Sequence, residues 1–105
     1  MSSRNAYLMR KYGITEHQYE CMLIMQGGGC GICGYVPGEG KRRLAVDHDH
    51  KTGEVRGLLC YRCNRGLIWF KDKVNLYRKA AKYIELPPFN RLGLWMAHNK
   101  KGLKG

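Results

Sequence analysis

Two Cys-x2-Cys pairs fix more of this chain than any other feature. Cys30 and Cys33 stand in Cys-Gly-Ile-Cys, and Cys60 and Cys63 in Cys-Tyr-Arg-Cys, with 26 residues between the pairs. Four soft thiolates at this spacing fill a tetrahedral site and need no other ligand, so the motif predicts a closed, structural Zn2+. A redox Cys-x-x-Cys would use one pair beside a βαβ pattern, which the sequence lacks. The fifth cysteine, Cys21, has no evident mate, and an odd count argues against a full disulfide framework.

Such a staple matters in a chain of 105 residues. One small domain buries a modest core, and a four-thiolate zinc can contribute about 10–16 kcal/mol of apparent binding free energy at neutral pH. Nineteen Lys and Arg against eight Asp and Glu give a net charge of +11. The excess runs along the whole sequence, and residues 89–105 carry four bases and no acid. That balance suits a polyanion, most simply nucleic acid, although a soluble basic protein without a specific partner has the same composition. The N-terminal Met1-Ser2-Ser3-Arg4-Asn5 lacks the apolar core of a secretory signal, and no run is long enough to cross a bilayer. A reducing cell interior, and no membrane partner, is the expectation.

Local signals place the elements. A helix from about Arg4 to Tyr12 stops at Gly13. Thr15-Glu16-His17-Gln18 reads as a capping box opening a second helix, whose stripe is Tyr19, Met22, Leu23 and Gln26 and whose end is Gly27-Gly28-Gly29. Cys21 falls off that stripe, as an inert surface or boundary thiol. Residues 34–43 form a loop carrying the basic run Lys41-Arg42-Arg43. Leu44-Ala45-Val46 and Glu54-Val55-Arg56 pair as a hairpin through Lys51-Thr52-Gly53. Helices follow from about Tyr61 to Phe70 and over 74–85, the latter with Val74, Tyr77, Ala81 and Ile84 as a buried stripe, and Pro87-Pro88 stops it. The expected architecture is a small, zinc-stapled α+β domain over 1–88, with N-terminal helices (5–26), a C-terminal helix (74–85) and a basic tail over 89–105 whose end is loose. Trp69, Phe70 and Trp95 read first as core, and second as surfaces for bases or a partner.

The hairpin carries Asp47-His48-Asp49-His50, and Asn64 directly follows the last cysteine. A hard cation such as Mg2+ prefers oxygen ligands and keeps several waters, which fits the Asp47 carboxylate and the Asn64 amide oxygen. The zinc knuckle would bring the two together. His48, near neutral pH, suits a general base that takes a proton from water. His50 would hold a phosphate or orient a water, and Arg56 would clamp a phosphate oxygen. Lys41, Arg42, Arg43 and Arg65 complete the candidate nucleic-acid contacts. A regular strand over 47–50 would place Asp47 opposite His48 and His50, so one shared site requires the chain to leave the extended form there. The bland alternatives are that the Asp–His run is a polar turn with Asp capping backbone amides, and that Asn64 caps the helix after the knuckle.

At these residues the chain resembles the recombination endonuclease VII family, a branch of the His-Asn-His (ββα-metal, or His-Me finger) nucleases. The matching stretch runs from Cys30-Gly-Ile-Cys33-Gly through Val46-Asp47-His48-Asp49-His50-Lys-Thr-Gly53-Glu-Val-Arg56-Gly57-Leu58-Leu59-Cys60 to Cys63-Asn64, with similar flanks over roughly residues 5–85. The resemblance implies a hairpin-plus-helix ββα-metal core flanked by helices, a zinc on Cys30, Cys33, Cys60 and Cys63, and Mg2+- or Mn2+-dependent cleavage of DNA. It assigns Asp47 and Asn64 to the catalytic metal, His48 to the general base, and His50 to a second catalytic histidine. Many relatives are phage-encoded, which implies the cytoplasm of a bacterial host and phage proteins as further partners. Junction-resolving members have a longer C-terminal part that builds an intertwined dimer. Only a short tail follows Pro87-Pro88 here, so the resemblance does not carry junction specificity over, and a homodimer stays open. The competing functions are a zinc-stabilised nucleic-acid-binding module without catalysis, and an accessory of a phage replication or packaging complex.

Overall fold

The computed structural model describes residues 2–99. The order is α1 (Ser3–Tyr12), α2 (Glu16–Met25), β1 (Ala45–His48), β2 (Val55–Leu59), α3 (Tyr61–Trp69), α4 (Val74–Glu85), a 3-10 turn (Pro88–Arg91) and α5 (Leu92–His98). The described residues form a small α+β fold with a two-stranded antiparallel sheet. The chain divides into two compact units, one ending at Asp72 and one beginning at Lys73.

In the first unit, side-chain caps set the helix starts. Ser2 accepts from the Asn5 amide at 3.0 Å to open α1. Thr15 and Gln18 form the expected reciprocal box, at 3.0 and 2.8 Å, to open α2. Gly13, at φ 73°, ends α1 in the left-handed region, where a β-carbon is costly. The α2 stripe packs as its spacing predicts. Tyr19 is fully buried, and Met22 and Leu23 pack against the core of Leu8, Ile14, Tyr19, Leu44, Val46, Leu58 and Leu59. The Tyr19 hydroxyl donates to the Leu44 carbonyl at 2.6 Å, tying α2 to the strand entrance. Gln26, the polar member of the stripe, braces β2 instead. Its amide oxygen accepts from the Leu58 N–H, and its amide nitrogen donates to the Leu58 carbonyl, each at 2.9 Å. Cys21 is exposed, as its position off the stripe implies.

The hairpin is longer than expected. β1 continues through Asp47 and His48, and β2 continues through Gly57, Leu58 and Leu59. Asp47 pairs with Gly57 but His48 pairs with Val55, so Arg56 is an extra residue on β2, a bulge that re-aims side chains at that point.

The second unit holds α4, the 3-10 turn and α5. α4 forms over 74–85, but its apolar stripe is not buried: Val74 is 59% and Ile84 74% exposed, and Ala81 is exposed as well. Apolar spacing specifies that a helix forms, whereas burial needs a partner surface, and none of the α4 residues is buried. The start of the tail is helical. Pro88 opens the 3-10 turn, where its missing N–H costs nothing, and Leu92, Trp95 and Met96 share one stripe of α5. The loose end expected beyond Asn99 lies outside the described residues. The large aromatics are not core: Trp69 is 76% and Trp95 51% exposed. Among the described residues, no helix is long and apolar enough to cross a membrane.

Candidate metal centre and acid–histidine site

The first knuckle is shaped by glycines. Gly34 takes φ 80°, and a β-carbon on Gly29 would lie 2.4 Å from the Gly34 carbonyl oxygen, so the chain folds back on itself too closely for any side chain. The Cys30 N–H donates to the Tyr35 carbonyl at 2.8 Å, and the Gly31 N–H to Leu58 at 3.0 Å, which docks the knuckle on β2. The second knuckle leads into α3, with Cys60 as its N-cap residue. The sulfurs of Cys30, Cys33, Cys60 and Cys63 thereby lie within 4.8 Å of one another.

These four residues fit a zinc ion. A tetrahedron with Zn–S arms of about 2.3 Å has S–S edges of about 3.8 Å, and Cys33 and Cys60 stand 3.7 Å apart. That distance is far beyond a disulfide bond. Burial would push the Cys30 thiol up, but the amides of Cys33, Cys60 and Ile32 aimed at its sulfur hold it at about 6. Burial, reinforced by the three neighbouring sulfurs, pushes Cys63 up to about 12. One thiol ionises readily, and burial above all makes the next resist. A bound dication would remove that penalty.

Asp47 is the one buried charged residue among those described, at 4% exposure. Arg56, the bulged residue, grips it through two parallel bonds, Nε to Oδ2 at 2.7 Å and Nη2 to Oδ1 at 3.0 Å. The same Nη2 donates to Asp72 Oδ1 at 3.1 Å. The other Asp72 oxygen lies 2.8 Å from His50 Nδ1. The His50 ring is 5.2 Å from that of His48, which is 6.1 Å from the ring of Tyr12. Asp47, Arg56, Asp72, His50 and His48 thus form a continuous chain, made possible by the bulge and by the turn that begins after His48. The hydrogen bonds it donates to Asp47 hold Arg56 firmly protonated. His50, then Arg56, hold the Asp72 carboxyl below its ordinary range. Arg56 is therefore occupied by two carboxylates rather than turned outward to a phosphate.

Asp49 has a different task. Its Oδ1 accepts from the Thr52 and Lys51 amides, at 3.0 and 2.7 Å, and these bonds lower its pKa. It is the capping residue of the hairpin turn, as the polar-turn alternative holds for one of the two aspartates.

Asn64 does not cap α3, because that position belongs to Cys60; it lies one turn inside the helix. It borders a cavity of about 490 Å³ with Ala45, Lys41, Arg42, Arg43, Tyr61 and Arg65. Asp47 borders another hollow, of about 340 Å³, with Gln26, Arg56 and Leu67. Ala45 and Asp47 share one hairpin face, and Asn64 and Leu67, three apart, share one side of α3. Asn64 and Asp47 border separate hollows that share no lining residue, and among the described residues Asn64 stands outside the Arg56 network. Lys41, Arg42 and Arg43 of the basic loop line the Asn64 cavity. Arg42 and Arg65 flank the Tyr61 ring, at 5.9 and 5.2 Å. Arg43 is partly neutralised by Glu20, 2.6 Å away, and leans over Tyr19.

Sequence reasoning missed Asp72, Gln26 and Tyr12. Gln26 was visible as a polar residue at a core-facing position. Asp72, set between Lys71 and Lys73, carries no local signal.

Residues 5–86 match the family model described as recombination endonuclease VII. The gene 59 proteins of Mycobacterium phages L5 and D29 are 45% and 44% identical to this chain over 82 residues, which cover 77% of it and 49% of each relative. The chain spans about half the length of the curated relatives it matches. No solved structure gives a significant match.

Proposed function

The chain belongs to the recombination endonuclease VII family, and from that premise we propose that it is a divalent-metal-dependent DNA endonuclease of the His-Asn-His type, with a ββα-metal core made of β1, β2 and α3. The observation that supports the proposal is the four-cysteine cluster, in which the first knuckle, docked on β2, meets the start of α3. In this reading the zinc is purely structural.

Asp47 and Asn64 are the residues that would hold Mg2+ or Mn2+, and their oxygen donors suit a hard ion. Each Asp47 oxygen keeps a lone pair beyond the one Arg56 engages. The ion, when bound, supplies positive charge where the pentavalent phosphate and the leaving oxygen become more negative. The protein's own groups do the rest. His48 takes the proton from the attacking water. His50, beside it, orients that water or holds the phosphate. Lys41, Arg42, Arg43 and Arg65 neutralise flanking phosphates, and Tyr61 offers a ring against a sugar or base. The substrate is DNA inside a bacterial host cell.

The test is plasmid nicking in Mg2+ or Mn2+. His48→Ala lowers the rate by about 10²–10⁴-fold, the usual contribution of a general base, with zinc content and DNA affinity nearly unchanged. Equal nicking by both proteins removes the assignment. The Arg56 grip on Asp47 favours a second reading, a zinc-stapled DNA-binding module whose acid site is internally neutralised. That protein would bind DNA with a steep salt dependence and nick nothing.

A further inference from the structure

We propose that Asp72 is a positioning residue for His50, fixing the tautomer and the direction of the imidazole that stands beside His48. The inference rests on the reading of His50 as a catalytic histidine and adds a residue to that site. Three observations support it. The Asp72 carboxylate lies 2.8 Å from His50 Nδ1 and 3.1 Å from Arg56 Nη2, so both of its oxygens are committed and its plane is fixed. Arg56 in turn is anchored to the buried Asp47. The orienting carboxylate is therefore itself held, as second partners of functional histidines generally are.

The third observation is the backbone. Lys71 and Asp72 have φ of 51° and 59°, the only non-glycine residues among those described in the left-handed region. Side-chain-bearing residues adopt it at a cost, and a helix end of this type usually places glycine there. The Lys71 N–H donates to Ile68 at 3.0 Å and the Asp72 N–H to Leu67 at 3.2 Å, which closes α3 and swings the next side chain back toward the hairpin. A glycine would relieve the strain at position 72 but would supply no carboxylate. Strain retained at such a point is a mark of a functional position.

The chemical consequence is directional. With Nδ1–H donating to Asp72, the lone pair of the neutral ring is confined to Nε2, the end free to accept a proton from water or a hydrogen bond from a phosphate-bound group. When Nε2 takes a proton, the Asp72 charge stabilises the imidazolium, as a carboxylate does for any histidine it orients.

The experiment combines nitrogen NMR of the histidine rings in the zinc-loaded chain with plasmid nicking in Mg2+. In the wild type His50 is the Nδ1–H tautomer. Asp72→Asn retains that tautomer, because its amide oxygen still accepts, while kcat falls. Asp72→Ala releases His50 to the tautomer mixture of a solvated imidazole and lowers kcat by about 10–100-fold, with KM and zinc stoichiometry unchanged. A residue that merely straps the turn to the helix would lower thermal stability and leave both tautomer and kcat alone; that result overturns the proposal. If the wild type fails to nick, the nuclease reading fails, and the tautomer comparison still decides whether Asp72 orients His50.

Discussion

The residues up to Asp72 and those from Lys73 onward use apolar side chains in opposite ways. Among the described residues, every buried hydrophobic lies in the first unit, from Leu8 to Leu59. Among the described residues of the second unit there are three helical segments and none is buried. The first unit closes through contacts far apart in sequence: Tyr19 to Leu44, Gln26 to Leu58, and Cys30 and Cys33 to Cys60 and Cys63. The second is built from local turns. Helical periodicity is satisfied in both, so periodicity alone does not say what is buried.

The comparison breaks most visibly on zinc removal. Chelation withdraws about 10–16 kcal/mol of binding free energy, as much as or more than the roughly 5–15 kcal/mol that stabilises a typical domain. The hairpin unit then unfolds, with loss of near-ultraviolet circular dichroism from Tyr12 and Tyr19. Retention of that signal in a zinc-free chain would show that the core holds itself. Next in size, Leu58→Ala should cost about 2–5 kcal/mol in denaturant unfolding, because the side chain is fully buried. Ile84→Ala should stay within about 0.5 kcal/mol. Equal costs would mean that the two units do not differ in the way described. Tyr19→Phe leaves the buried Leu44 carbonyl without its donor and should cost about 1–3 kcal/mol.

The smallest effect is on pH dependence. The folded Asp72 pKa lies below its unfolded value, so the unfolded state binds the extra proton between the two. Its stabilisation is present above the ordinary carboxylate range and is lost as pH falls through the lowered value. Asp72→Asn should lower stability at neutral pH and flatten the acid side of the curve, so that the variant and the wild type converge at low pH. An unaltered acid slope would mean that the bonds from His50 and Arg56 contribute nothing to folding.

What the sequence discloses follows the same divide between local and distant. The capping box, the Gly13 stop and both knuckles are legible because each signal lies within a few residues. Cysteine spacing is the exception that reaches across the chain, since four soft ligands admit one joint use. The bulge at Arg56 was hidden, because it is a property of two strands in register, and with it went the pairing of Arg56 to Asp47. Asp72 was hidden for the same reason. α5 was obscured by the charge of the tail around it, although Leu92, Trp95 and Met96 already had helical spacing.

A zinc on the four cysteines would hold the hairpin and α3 in a fixed relation, and the central question is whether that relation serves a second ion. Anomalous diffraction from crystals of the zinc-loaded chain soaked in Mn2+ measures this directly. A manganese peak is expected between the Asp47 carboxylate and the Asn64 amide oxygen, on a lone pair that Arg56 leaves open. Saturating Mn2+ with no peak there would contradict the shared site.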